Sequence, residues 1–172
     1  MIANSHADPF DLVESFSNSK QRFSSFSQLV ELGAEALPAI RNGLKHENWQ
    51  IRRWSAICMD HVADSTSLAD LLPLFHDCKS DVRRWAVHSI ACDHCKNDVD
   101  CAVDIVPHLI ERIELDESVR VRKMAVIMLG NEFLDRRAVP VFQRLVRVEA
   151  NRKIRLHAQA GLRRLSQAGL VD

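Results

Sequence analysis

The chain has 172 residues, enough for one domain or one short array. Its apolar content of 47% supports a continuous core, and no run approaches the ~20 apolar residues of a membrane-spanning helix. Formal net charge is zero, yet residues 1–118 carry 11 basic and 19 acidic side chains (−8) while residues 119–172 carry 12 and 4 (+8), so charge is polarised along the chain.

The first ten residues, Met1 to Phe10, lack a basic and an apolar leader region, so no export signal is expected. Five cysteines lie between Cys58 and Cys101; together these features predict reduced thiols and a cytoplasmic protein. Asp8-Pro9 is an N-cap and first-turn pair, and Phe10, Val13 and Phe16 follow at helical spacing. After the polar break Ser15 to Ser19, the stretch Lys20 to Gly33 reads as the second helix of an incomplete repeat. Residues 1–33 are therefore expected to form an N-terminal cap.

From residue 34 onward one phrase recurs. Its clearest copy is Val82-Arg83-Arg84-Trp85-Ala86, and the others start at Ile51, Val121 and Ile154. The starts at 51, 82, 121 and 154 are 31, 39 and 33 residues apart. Pro38, Pro73, Pro107 and Pro140, each in an apolar run, keep step at 35, 34 and 33. Two marks drifting together at one period indicate a repeated unit. Each unit reads as two helices. Proline sits near the start of the first, where a missing N–H costs little, with Glu35, Asp70 and Asp104 ahead of it. Asn48, Ser118 and Asn151 fall at the N-cap of the second; in the second unit Lys79 holds that place, and Ser80 is expected to cap instead. The repeats are placed at about 34–62, 67–92, 99–134 and 136–168, all in one domain.

The proline-bearing first helix and the second helix that ends in Leu129-Gly130 resemble HEAT repeats, specifically the short HEAT-like repeats of the phycobilisome lyases. The likeness covers roughly residues 20 to 168. It implies an all-α, right-handed α-α superhelix (a solenoid) of about four helix pairs behind an N-terminal helical cap. It also implies that Arg52, Arg83, Arg122 and Arg155 join an internal polar ladder, and that the second helices line the concave side.

On that side the third residue of the phrase points away from the core at about 100° per residue. Arg53, Ile57, Asp60, Arg84, His88, Lys123 and Arg163 are the candidate binding residues. A solvated face is the other reading of the same strip. Trp54 and Trp85 share one repeat position, at the edge of the apolar stripe, and fit either core packing or an aromatic platform.

Cys92 and Cys95, followed by Cys101, have the spacing of thiolate ligands for zinc, but a second pair is missing. No metal and no cofactor are therefore expected. The lone His46-Glu47 pair does not match the several such pairs of the HEAT-repeat deoxyhypusine hydroxylases. Trp54, Asp60, Arg53 and Arg84 loosely resemble the concave-face residues of HEAT-like alkylpurine DNA glycosylases. No nucleophile triad or phosphate loop is present, so the expectation is a non-catalytic scaffold with a protein partner on its concave face and no membrane contact. One alternative is nucleic-acid binding through the basic C-terminal half, with or without glycosylase chemistry. Another, implied by the repeat type, is a bilin-lyase-like enzyme subunit.

Overall fold

The computed structural model describes residues 7–92 and 102–171. Those residues form an all-α array. The short cap helix α1 (Pro9–Glu14) is followed by α2 (Arg22–Leu32), α3 (Leu37–Gly43) and α4 (Trp49–Val62). A 3₁₀ segment (Ser67–His76) leads to α5 (Ser80–Ala91). Then come α6 (Val106–Leu115), α7 (Val119–Asn131), α8 (Ala138–Val148) and α9 (Arg152–Gln167). No helix among the described residues is long and apolar enough to cross a membrane.

The elements stand in two rows. Helices α2, α4, α5, α7 and α9 pack side by side in that order, and from α4 to α9 they meet far more extensively than the 3₁₀ segment, α6 and α8 meet one another. The tighter row is the inner arc of a curved array. Small residues allow that approach: Ser55, Ala86, Ala125 and Ala158 are fully buried at the fifth place of the phrase. At the C-terminal end Gly130 and Gly161 face each other, and a Cβ built on Gly130 would lie 3.3 Å from the Gly161 Cα.

The helix starts follow the expected capping with two departures. Asn48 accepts the Gln50 N–H at 3.0 Å, and Asn151 accepts those of Lys153 and Ile154 at 3.0 and 3.3 Å. Ser118 holds the N-cap place without a side-chain bond. In the second unit the cap is Lys79 and not Ser80, which is already helical. The reason lies two residues upstream, where Asp77 accepts the Lys79 N–H at 2.8 Å and fixes the entry to the helix.

The first element of the second unit also departs from expectation. Asp64 accepts the N–H groups of Thr66 and Ser67 at 3.1 and 2.7 Å and starts the coil early. Pro73 then falls inside the segment and not near its start. A proline there supplies no N–H and crowds the preceding turn, so the stretch winds as 3₁₀.

An arginine ladder ties successive units together. Arg52 holds Asp77 through two bonds of 2.6 and 3.0 Å and also donates to the His46 and Glu47 carbonyls at 2.8 Å each. Arg83 holds Asp116 at 2.7 and 2.9 Å and donates to the Asp77 carbonyl at 2.8 Å. Arg122 donates to the Asp116 carbonyl at 3.1 Å and reaches Glu149 at 3.7 Å. Arg155 closes the series on the Glu149 and Ala150 carbonyls at 2.6 and 2.9 Å. Each guanidinium thus satisfies the carbonyls at the turn of its own unit and, in the first three, the acid of the next.

Candidate functional site

The inner row carries a line of cations beside two indoles. Arg53 lies 5.8 Å and Arg22 5.9 Å from the Trp54 ring centroid, and Arg84 lies 5.1 Å from that of Trp85. Cations over an indole face are held by the ring quadrupole. Burial lowers the pKa of Arg53; Asp81 opposes this, while the charges of Arg84 and Arg22 push the same way. Asp81 sits 3.7 Å from Arg84 Nε, too far for a good hydrogen bond.

Next along the row, Arg84, Arg120, Lys123 and Met124 line an open hollow of about 280 Å³. His157 continues the line from α9: burial and the Lys123 ammonium hold its pKa below the usual imidazole value. The Nε atoms of Arg53 and Arg84 and the indole N–H groups of Trp54 and Trp85 are buried without a hydrogen-bond acceptor. The strip therefore offers donors and positive charge in excess of acceptors, which is the chemistry that receives a carboxylate or another anion.

Behind Trp85 lies a different group. Asp60, in the last turn of α4, is only 2% exposed. Its Oδ2 stands 3.1 Å from His88 Nε2, and its Oδ1 is buried with no hydrogen-bond partner. Cys92, which caps α5, is buried one turn beyond His88. One ligand atom from each of Asp60, His88 and Cys92 lies within 4.8 Å of the others. The His88 ring stands edge-on to Trp85, 5.3 Å between centroids.

The structure thus splits the residues singled out from the sequence. Arg53, Arg84 and Lys123 fall on the cationic strip, and Asp60 and His88 form the buried pair. Ile57, at 8% exposed, packs in the core cluster beside the strip. Arg163 is exposed on α9 and is not drawn into either group. The two tryptophans differ. Trp54 is core, 7% exposed, stacked on Phe16 at 5.8 Å and met edge-on by Phe23 and Phe26 of α2. Trp85 is half-buried, and where Trp54 meets three phenylalanine rings, the ring contact of Trp85 among the described residues is the edge of His88.

Sequence reasoning missed Arg22, Arg120, Met124 and His157. Arg120 was within reach, because it stands three residues before Lys123 and so on the same helix face. The zinc reading of Cys92 with Cys95 and Cys101 falls largely outside the described residues, which hold Cys92 alone of the three. Part of the basic C-terminal charge has structural work. Arg144 meets Glu114 at 3.1 Å, Arg164 meets Asn131 at 3.1 Å, and Arg122 and Arg155 stand in the ladder.

No curated protein matches the chain. Residues 19–91, from α2 through α5, match the family model described as HEAT repeats. Among solved structures, the chain is similar to one from the complex of CpcE and CpcF of phycocyanin lyase from Nostoc sp. PCC7120. That likeness has a TM-score of 0.72 at 18% identity and covers 90% of this chain and 97% of that one. The expectation of a non-catalytic protein is corrected by this finding: a chain of the same fold, matched over nearly its whole length, works within a lyase complex. The array is a HEAT-type repeat fold related to that of the chain from the phycocyanin-lyase complex.

Proposed function

We propose that the chain is one subunit of a lyase-like assembly of two HEAT-type proteins, and that its inner row receives the carboxylate groups of a bilin. The observation that carries this reading is the donor-rich strip from Arg53 through Arg84 and Arg120 to Lys123, set beside the indole of Trp85. A linear tetrapyrrole has a flat π-system for the indole and propionate carboxylates for the cations. The likeness to a phycocyanin-lyase subunit over 90% of the chain supports it. A reducing compartment such as the cytoplasm suits the thiols of Cys58 and Cys78, which form no disulfide.

The test is titration of the purified chain with biliverdin, followed by absorbance. The expected result is a saturable change in the bilin spectrum that Arg84→Glu and Lys123→Glu both weaken while the melting temperature stays nearly constant. An unchanged spectrum with the wild-type chain removes the reading. Labelled duplex DNA serves as the competing ligand, because residues 119–172 carry a balance of +8. Saturable DNA binding at physiological salt that weakens linearly on a log–log salt plot would assign the strip to phosphates instead.

A further inference from the structure

We propose that Asp60, His88 and Cys92 bind a divalent thiophilic cation of the zinc class. Three features of the group point there. It combines carboxylate, imidazole and thiol, the three side-chain types that zinc takes. His88 lies in the last turn of α5 and Cys92 caps that helix four residues on, so both reach the same side, and Asp60 meets them from the last turn of α4. The three ligand atoms lie within 4.8 Å of one another, with His88 Nε2 and Asp60 Oδ2 at 3.1 Å. Ligand bonds of ~2.0–2.3 Å around a tetrahedral ion need donor atoms about this close.

A second observation concerns the carboxylate itself. Asp60 is 2% exposed, yet Oδ1 accepts no hydrogen bond. A buried carboxylate has lone pairs for several donors, and one left without them carries a desolvation penalty. A cation at this point removes that deficit, and the His88 side chain, 19% exposed, gives it an entry from the inner row. Three protein ligands leave a fourth position for water or for a donor from a bound partner, as in zinc sites that are not purely structural. The site is next to the cationic strip and does not depend on what that strip binds.

The experiment uses cobalt as a spectroscopic stand-in and zinc as the competitor, on the full chain purified under reducing conditions without added metal. Wild-type protein is expected to take up about one equivalent, with a thiolate-to-cobalt charge-transfer band in the near ultraviolet that zinc abolishes. Asp60→Asn, His88→Gln and Cys92→Ser each lose the band. A chain carrying Cys95→Ser and Cys101→Ser keeps it. Thermal unfolding gives a readout that does not rely on the buried variants folding: zinc raises the melting temperature of the wild type and of the Cys95→Ser, Cys101→Ser chain, and a chelator reverses the rise. The proposal is overturned if the wild type shows neither band nor thermal shift. It is also overturned if the band survives Cys92→Ser, or disappears with Cys95→Ser and Cys101→Ser.

Discussion

Arg83 and Asp116 meet through two parallel N–H···O bonds, 2.7 Å from Nε and 2.9 Å from Nη2, across the step from the second repeat to the third. The Asp116 side chain is completely buried and that of Arg83 is 8% exposed. Arg112 approaches the same carboxylate at 3.6 Å, so it supports the pair without replacing it. Truncating Arg83 therefore strands a buried carboxylate. Arg83→Ala is expected to cost about 3–5 kcal/mol, the scale for breaking a buried pair. Replacing both partners with apolar residues (Arg83→Leu with Asp116→Leu) is expected to recover much of that loss, because the desolvation of both charges is then absent. Urea unfolding of the two chains measures the difference. A loss under about 1 kcal/mol for the single variant would reclassify the pair as a surface bridge.

Acid should dismantle the same ladder. Burial alone would raise the pKa of Asp77 and of Asp116, but hydrogen bonds from Arg52 and the Lys79 N–H for the first, and from Arg83 and the Ser118 N–H for the second, outweigh it and lower both. A folded-state pKa below the unfolded value of about 3.9 means that the unfolded chain binds protons more readily. The stabilisation is therefore fully present above the unfolded value and is lost as pH falls through the folded one. Unfolding free energy measured from neutral pH down to about pH 3 should fall, and Asp116→Asn should flatten that fall while starting from a lower plateau. A free energy independent of pH across that range would show that the two carboxylates are not linked to folding.

The glycines of the last two second-row helices set how closely the array can close. A Cβ on Gly161 would lie 2.5 Å from Phe142 Cε2 and 2.9 Å from its Cδ2. Phe142 is fully buried and cannot swing away. Gly161→Ala gains helix propensity but overpacks this contact, and the net expected change is a loss of about 1–3 kcal/mol. Adding Phe142→Leu to Gly161→Ala should recover part of it by vacating the ring position. Thermal unfolding of the three chains decides the matter, and a Gly161→Ala chain as stable as the wild type would mean that α8 and α9 shift apart freely.

What could be read from the sequence follows what repeats. The Val-Arg phrase and the proline fixed the helix pairs because each unit must bury the same face on its neighbours. The ladder was half legible. Arg52, Arg83, Arg122 and Arg155 were placed by the phrase, and their acids Asp77, Asp116 and Glu149 share one register two residues before an N-cap. What did not repeat was hidden. Trp54 and Trp85 occupy one position of the phrase, and their different burial follows from Phe23 and Phe26, which cover Trp54 from α2, whereas Trp85 meets the edge of His88. The meeting of Asp60 with His88 depends on the relative register of α4 and α5, which the one-dimensional pattern does not carry.

That contrast between equivalent tryptophans separates folding from binding. Trp54 packs on Phe16, Phe23 and Phe26 inside the cap, so Trp54→Ala empties a large volume at the junction of α2 and α4. The expected cost is about 3–5 kcal/mol, read by chemical unfolding. Trp85 meets the edge of His88, is half-buried and carries Arg84 over its face. Trp85→Ala should cost less stability than Trp54→Ala, while releasing Arg84 from its platform and weakening anion binding on the strip. Trp85→Phe keeps a π-face and should restore a good part of the binding. If Trp85→Ala instead unfolds the chain as readily as Trp54→Ala and leaves ligand binding per folded molecule unchanged, both indoles serve the core and the strip ends at Arg84.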